Sequence, residues 1–183
     1  MGSRELRNDA QRFRRQEHAR HLRRYRHGRH RRHDLLPLAD DIALWRQYLD
    51  LEKLRLGERL RVEWDIADMP SDLKVPPLML QPLLENAVYH GIEPAGEAGT
   101  LRIRFVHRGD ELHIELSNPC CRGVAGLSGT GRQSGNHMAL ANIRERLMLH
   151  YDLEASLQAG EVEGADGLRE YRVHIVLPCR TRR

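Results

Sequence analysis

The sequence predicts one α/β domain, a two-layer sandwich in which helices cover one face of a mixed, largely antiparallel sheet. Two alternating apolar segments, Leu101–Phe105 and Leu112–Leu116, flank the turn Arg108–Asp110 and predict a β-hairpin. Apolar residues at three- and four-residue spacing predict amphipathic helices before and after this hairpin. The 150 residues that follow His33 are enough for one hydrophobic core but not for two.

The elements before the hairpin follow from the same two periodicities. Leu38–Leu56 carries apolar residues at helical spacing, which predicts a long first helix. Leu60–Ile66 alternates and predicts the first strand. A second helix is predicted within Pro76–Gly91, with an apolar stripe formed by Leu80, Leu83, Leu84, Ala87 and Val88.

The elements after the hairpin are a helix and two strands. A helix with a stripe at Leu140, Ile143 and Leu147 is expected to begin near Asn136. Alternation in Tyr171–Leu177 predicts a final strand that ends at Pro178. Its expected partner is Ala155–Ala159, joined to it through the polar loop Gly160–Gly167.

Residues 1–33 form a basic segment that differs from the rest of the chain. It holds 12 Arg and 3 acidic residues of the chain's 30 basic and 26 acidic residues, so the remainder is net acidic. Low apolar content and like-charge repulsion predict a disordered arm or a solvated helix, separate from a domain at residues 34–183. An unnatural upstream sequence is the first interpretation, and contact with a membrane surface or RNA is the second. Only Phe13 and Tyr25 interleave with the arginines, so nucleic acid is not the expected partner.

A polar cluster on the second predicted helix is the first candidate site, formed by Glu85, Asn86, Tyr89 and His90. Asn86 and His90 are one helical turn apart, away from the apolar stripe. An amide beside a carboxylate suits hydrated Mg²⁺, because this ion takes oxygen ligands and keeps water and phosphate in its other positions. A solvated outer helix face would look the same, so the cluster alone does not establish a site.

A glycine-rich tract, Gly123–Gly135, is the second candidate feature. It is expected to be a loop directly before the third helix. Free backbone N–H groups and the positive end of the helix dipole would then face an anion such as phosphate. A plain linker is the alternative interpretation.

These two features, with the hairpin between them, resemble the ATP-binding domain of sensor histidine kinases, most closely the LytS/AlgZ type. LQPLLENAVYHG is similar to the N box of that family, and SGNHMALANIRERL to its second glycine box and the helix after it. PLADDIALWRQYLDLEKLRLGERLRVEW also resembles the helix and strand that open the domain. The resemblance covers Leu36–Pro178 and implies the Bergerat-type ATP-binding fold shared with gyrase and MutL.

The resemblance implies a role for several residues near ATP and Mg²⁺. Asn86 would be the Mg²⁺ ligand, and Glu85 would be the catalytic residue that polarises the acceptor. His90, with Gly91, would form part of the wall near the phosphates. Asn118 would occupy the position of an aspartate that reads adenine in the family.

On the triphosphate side, the resemblance implies a mobile lid and a closing helix. The lid would run from Gly129 through Gly131 to Gly135. Asn142 and Arg144, expected in the first turns of the third helix, would close the site over the phosphates.

The sequence departs from the family pattern at several of these positions. Asn118–Arg122 replaces the usual Asp-Asn-Gly-x-Gly, and an amide lacks the charge that makes a hydrogen bond about twice as strong. Tyr89 stands where a lysine that contacts phosphate is usual. His137 and Ala139 replace glycines of the second glycine box, where a Cβ would crowd the backbone.

The resemblance implies a catalytic module of a two-component sensor kinase, a phosphotransferase. The family's acceptor-histidine motif has no counterpart in the sequence, so the phosphoryl group would go to a histidine outside this chain, in the acceptor region of a homodimeric full-length kinase. A response regulator would be the downstream partner. The alternative is a degenerate module that binds nucleotide weakly or not at all and regulates by docking to a response regulator or dimer partner.

The expected location is the cytoplasm, as a domain of an inner-membrane sensor. No apolar run approaches the roughly 18 residues that span a bilayer, and no signal peptide opens the sequence. The 3 cysteines show no metal-ligand spacing and fit a reducing compartment.

Overall fold

The computed structural model describes residues 35–66, 69–70, 73–120, 130–164 and 167–179, and for residues 130–138 it describes the backbone alone. The predicted basic arm, residues 1–33, lies outside this part of the chain. The helices of the described part are α1 (Leu38–Leu56), α2 (Gln81–Asn86) and α3 (Thr130–Tyr151). Its strands are β1 (Leu36–Pro37), β2 (Leu60–Ile66), β3 (Lys74–Val75), β4 (Gly99–Arg108), β5 (Glu111–Pro119), β6 (Ser156–Glu163) and β7 (Arg169–Pro178).

Five of the strands form one mixed sheet in the order β2-β4-β5-β7-β6. β2 pairs with β4 in parallel, and the other three pairs are antiparallel. β4 and β5 form the predicted hairpin, in which Ile103 lies opposite Leu116. β1 and β3 make a separate two-stranded antiparallel pair. The predicted fold class, a mixed and largely antiparallel sheet with helices, is confirmed.

The hydrophobic core lies on one face of this sheet. Alternate residues of the three central strands point into it and are buried: Leu101, Ile103, Phe105, Leu112, Ile114, Leu116, Val173, Ile175 and Leu177. The predicted stripe of α1 packs onto the same core, where the ring centroids of Trp45 and Phe105 are 5.9 Å apart. Alternation in the strands and helical spacing in α1 therefore place their apolar residues in one layer.

The opposite face of the sheet carries charged side chains. Arg102 of β4 contacts Glu63 of β2 at 3.0 Å and Glu170 of β7 at 2.6 Å, and Arg104 contacts Asp65 at 3.0 Å. Most of these groups are exposed, so each pair contributes little to stability. The helices pack on the apolar face, whereas this face carries mostly charged and polar side chains.

The second predicted helix is shorter and less regular than expected. α2 begins at Gln81 rather than near Pro76, and Ala87–Ile92 continues it as a turn of π-helix. The residues before it, Pro76–Leu80, form a turn in which Leu78 has a positive φ of 55°. The predicted apolar stripe of this helix is buried, as expected: Leu80, Leu83, Leu84, Ala87 and Val88.

The third helix begins earlier than the sequence indicated. α3 starts at Thr130, not near Asn136, so its first turns lie within the tract predicted to be a loop. Glycine lowers helix stability by about 1 kcal/mol relative to alanine but does not forbid a helix. Leu140, Ile143 and Leu147 are buried and anchor the helix to the core, as their spacing predicted.

The last two strands pair as predicted, with corrected bounds. β6 extends to Glu163, so half of the region expected to be a loop is strand. Among the described residues, no helix is both long enough and apolar enough to cross a membrane.

Candidate functional site

The polar cluster predicted on α2 is present as a half-buried stripe. Glu85, Asn86, Tyr89 and His90 are all partly accessible, while their neighbours on the helix are buried. The Glu85 carboxylate accepts a hydrogen bond from Nε2 of Gln81 at 3.0 Å, one helical turn earlier. The cluster therefore offers a fixed carboxylate and an adjacent amide at the border between core and solvent.

The end of this stripe touches the end of strand β5. A Cβ added at Gly91 would overlap Nδ2 of Asn118 and lie 2.7 Å from its Cγ. Gly99 of β4 also lies close to the π turn, because a Cβ there would be 2.8 Å from Cδ1 of Ile92. Glycine at these positions lets the π turn lie directly on the sheet. The structure thus brings together Gly91 and Asn118, which are far apart in the sequence.

Asn118 is buried, with 7% of its surface exposed, at the end of β5. Its Nδ2 donates a hydrogen bond to the carbonyl oxygen of Pro119 at 3.0 Å. This bond orients the side-chain amide, whose carbonyl oxygen is a hydrogen-bond acceptor. A buried, oriented acceptor is the group that an exocyclic amine of a ligand would need.

The turn before α2 is held by a residue that the sequence analysis missed. Oδ1 of Asp41, in the first turn of α1, accepts a hydrogen bond from the backbone N–H of Leu78 at 3.1 Å. On the same turn, Nη1 of Arg146 in α3 donates to the carbonyl oxygen of Pro77 at 3.2 Å. Asp41 could have been found in the sequence, because it lies three residues after Leu38 and four before Trp45, on the apolar stripe.

Asp41 is completely buried, and burial raises its pKa from 3.8 to about 6. The hydrogen bond from Leu78 and the positive charge of Arg146 act in the opposite direction, while Asp40 adds to the rise. Among the described residues, Oδ2 of Asp41 has no hydrogen-bond partner. The energetic cost of burying the ionised carboxylate is therefore only partly compensated.

A second charged group holds the other end of the cluster. Arg55 of α1 contacts Glu52 at 2.7 Å, and its Nη1 and Nη2 donate to the two carboxylate oxygens of Glu93 at 2.9 and 3.3 Å. Nη2 of Arg59 donates to the carbonyl oxygen of Glu93 at 2.7 Å. The Arg55 guanidinium also lies 6.0 Å from the ring centroid of Tyr89. Tyr89 of the cluster thus lies near an arginine from α1.

The residues predicted to close the triphosphate side are only partly brought together. Gly129 lies outside the described residues. Gly131 and Gly135 lie in the backbone of α3 and not in a loop, which corrects the prediction of a lid at these two positions. Asn142 and Arg144 are exposed in the middle of α3 rather than in its first turns. Their expected place therefore followed from a helix start set too late.

Metal-binding chemistry at this site would rest on oxygen donors. Within the described ranges, no group of three or more His, Cys, Asp and Glu side chains converges as a metal site. Asn86 and Glu85 are adjacent on α2, and an amide oxygen and a carboxylate are ligands of the kind that Mg²⁺ accepts. The predicted role of Asn86 in Mg²⁺ binding stays a prediction.

Comparison with known proteins places the chain among bacterial signalling proteins. No protein-family model matches it. The sensor histidine kinase YesM of Bacillus subtilis is 31% identical over 153 residues, which cover 80% of this chain and 24% of YesM. The sensor protein LytS of Enterococcus faecalis is 24% identical over 149 residues, covering 78% of this chain and 25% of LytS. The domain is of the LytS type found in sensor histidine kinases.

Solved structures of histidine kinases share the fold of this LytS-type domain. The mycobacterial sensor histidine kinase MprB has a TM-score of 0.54 and 14% identity, and the similarity covers 80% of this chain and 97% of that one. The catalytic domain of the histidine kinase ThkA has a TM-score of 0.52 and 14% identity, with 79% and 94% covered. The two-layer fold predicted from the sequence is therefore that of histidine kinase catalytic domains.

The LytS-type chain spans about a quarter of the length of the curated relatives that it matches, between 19% and 25% for YesM, LytS and the sensor histidine kinase YpdA of Escherichia coli. YpdA is 30% identical over 109 residues.

Substitution of Gly91 tests the contact between the π turn and β5 in this LytS-type domain. Gly91→Ala should lower the free energy of unfolding by about 1–3 kcal/mol, because the new methyl group overlaps the Asn118 side chain. In an Asn118→Ala background the cost should fall, and chemical denaturation of the four proteins of this cycle measures the difference.

The matched control is Gly160→Ala on the edge strand β6, where a Cβ would meet nothing within 4 Å. It should leave stability unchanged or raise it slightly. Equal costs for Gly91→Ala in both backgrounds would show that the two residues do not touch in solution.

The pKa of Asp41 predicts how stability changes with pH. Because burial raises this pKa to about 6, the unfolded state releases the Asp41 proton at lower pH than the folded state does. The contribution of Asp41 to the free energy of unfolding is complete below about pH 4 and is lost as the pH rises to about 6. This loss amounts to about 3 kcal/mol.

Asp41→Asn removes this titration and serves as the comparison protein. The difference in unfolding free energy between the original protein and Asp41→Asn, measured by urea denaturation, should change between pH 4 and 6 and be constant above pH 7. Other carboxylates titrate in both proteins and cancel in the difference. Parallel stability curves across this range would contradict a raised pKa at Asp41.

Proposed function

We propose that this domain is the ATP-binding catalytic module of a two-component sensor histidine kinase and transfers the γ-phosphoryl group of ATP to a histidine outside the chain. One observation carries the proposal most directly, the contact of Gly91 with Asn118. It brings the end of the segment that resembles the N box close to Asn118, the residue that we propose binds adenine. The sequence relatives, which are sensor histidine kinases, support the same function.

The α2 cluster fits a hydrated Mg²⁺ that is bound together with a nucleotide. Asn86 would supply an amide oxygen, and phosphate and water would fill the other positions. When bound, the ion would neutralise charge on the phosphates. The half-buried position of Asn86 suits this role, because the side chain is anchored by the helix and still reaches solvent.

Asn118 would bind the adenine ring from the floor of the site. Its burial and its bond to Pro119 fix the amide, so little conformational entropy is lost when a ligand binds. Its carbonyl oxygen would accept from the exocyclic amine of adenine. The neutral amide makes this bond weaker than the charged bond of the aspartate usual in the family.

Glu85 would act on the acceptor side. The hydrogen bond from Gln81 fixes its carboxylate, which would accept a hydrogen bond from the acceptor imidazole and increase the nucleophilicity of its free ring nitrogen. His90 would line the site near the phosphates. The proposed residues of the triphosphate side remain Gly129, Gly131, Gly135, Asn142 and Arg144. Of these, Gly131 and Gly135 lie in the first turns of α3.

The partners of the whole protein follow from the proposed reaction. A module without an acceptor motif needs a histidine from another region, so we propose the acceptor region of a homodimeric full-length kinase. A response regulator would receive the phosphoryl group afterwards. The cytoplasmic side of the inner membrane is the proposed location, because ATP is available there and the relatives are sensor proteins.

Nucleotide titration of Asn86→Ala tests the proposed site. The unaltered protein should bind Mg-ATP saturably in isothermal calorimetry. Asn86→Ala should weaken this binding at least tenfold, because the protein ligand of the ion is lost. Omission of Mg²⁺ should weaken binding by the original protein but have little further effect on the variant.

The matched control is Gln158→Ala, which removes an exposed amide from β6, a strand at the edge of the sheet. Its affinity for Mg-ATP should be unchanged. Absence of binding by the unaltered protein at millimolar Mg-ATP would contradict the proposed function and favour the docking module.

Restoring the family's carboxylate tests the adenine contact. Asn118→Asp should tighten binding of Mg-ATP by about fivefold, because a charged acceptor strengthens the bond to the exocyclic amine. The affinity for Mg-GTP should not rise, because guanine has a carbonyl oxygen where adenine has its exocyclic amine. A gain of the same size for both nucleotides would place Asn118 elsewhere than at the base.

A further inference from the structure

Helix α1 contacts both ends of the segment that carries the N-box cluster. Asp41 lies in the first turn of α1 and contacts Leu78, just before α2. Arg55 in the last turn of α1, and Arg59 just after it, contact Glu93, directly after the π turn. Every residue of the cluster lies between these two attachment points.

The attachment at Leu78 fixes a strained turn. Leu78 has a φ of 55°, in the left-handed region that a leucine rarely adopts. Such a conformation persists only when its surroundings hold it in place. Asp41 supplies a buried acceptor for the Leu78 N–H, and Arg146 holds the Pro77 carbonyl from the side of α3.

The attachment at Glu93 fixes the end of the π turn. The Glu93 N–H continues the turn by bonding to the carbonyl oxygen of Val88, five residues earlier. Its carboxylate accepts hydrogen bonds from both terminal nitrogens of Arg55, and its carbonyl oxygen accepts one from Arg59. Arg55 is itself held by Glu52, whose side chain is 3% exposed. The charged groups are therefore fixed to each other and to α1.

The segment between the two attachments has little regular structure of its own. α2 is only six residues long, and a π turn is a rare form of helix that depends on its context. The position of Asn86 and the depth of Gly91 against Asn118 therefore depend on where Leu78 and Glu93 are held. Four side chains contact the two ends of the segment, and none of them belongs to the proposed nucleotide contacts: Asp41, Arg55, Arg59 and Arg146.

We propose that α1 is a positioning element of the nucleotide site, in which Asp41 at one end and Arg55 with Arg59 at the other set the geometry of Asn86 and Gly91. These are positioning residues that act through the backbone of the N-box segment. This inference rests on the proposed nucleotide-binding function. It adds the part of the chain that controls the site, α1, and the contacts through which it does so.

The test compares nucleotide affinity with stability in variants of the two attachments. Asp41→Ala and Arg55→Ala should each weaken Mg-ATP binding about tenfold in calorimetry. Asp41→Asn keeps an acceptor for the Leu78 N–H and should restore most of the affinity. Arg55→Lys keeps the charge but cannot reach both carboxylate oxygens of Glu93, so its affinity should lie between those of Arg55→Ala and the original protein.

The matched control is Ile175→Val, which destabilises the core by removing a methyl group from a fully buried residue of β7, a strand that carries neither attachment. Its Mg-ATP affinity should equal that of the original protein, measured at a temperature where all the variants are folded. If Asp41→Ala and Arg55→Ala lose stability but bind Mg-ATP as tightly as Ile175→Val does, the proposal is overturned.

Hydrogen exchange without nucleotide separates this inference from the proposed function. Asp41→Ala should speed exchange of the Leu78 amide, and Arg55→Ala should speed exchange at Ala87–Ile92. In Ile175→Val, the exchange rates of these amides relative to those of the β5 amides should be unchanged. Protection unchanged by either substitution would refute the two attachments even if Mg-ATP binds. Failure of the original protein to bind Mg-ATP, with exchange accelerated as expected, would overturn the proposed function and leave the attachments established.

Discussion

The contact between the π turn and strand β5 is the constraint on which the site depends. A side chain larger than hydrogen at residue 91 cannot coexist with the Asn118 amide as it lies in the structure. The turn must therefore lie directly on the sheet, and the half-buried stripe of α2 is held at a fixed height above the end of β5.

Much of the fold could be predicted from the sequence because each element carries a strong period. The stripe from Leu38 to Leu56 predicted α1 at its observed bounds, and alternation predicted β2 and the hairpin. The start of α3 was wrong because glycines were interpreted as a loop signal, although the buried stripe farther along anchors a longer helix. The π turn has no distinct composition, so the sequence contained nothing that separated it from an α-helix.

The site could be predicted in its residue types but not in its supports. A polar cluster beside an apolar stripe identified Glu85, Asn86 and His90, since surface position follows from spacing. The burial of Asp41 and Glu52 was harder to predict, because charged residues are rarely fully buried and a sequence pattern alone assigns them to the surface. Both lie on the apolar stripe of α1, and both are among the most buried polar groups described. An acidic residue at a core position of a helix was the available signal, and its partner could be known only from the tertiary structure.

The π turn determines which side chains share a direction. Hydrogen bonds that span five residues widen the turn at Ala87–Ile92, so residues five apart are rotated less about the axis than in an α-helix. In an α-helix, residues five apart are rotated by roughly 140° about the axis. Loss of a single residue from this turn would restore the α-helical phase and change the direction of Asn86 relative to Gly91. The length of the turn, counted in residues, thus matters as much as its composition, and the segment should tolerate conservative replacements far better than a deletion.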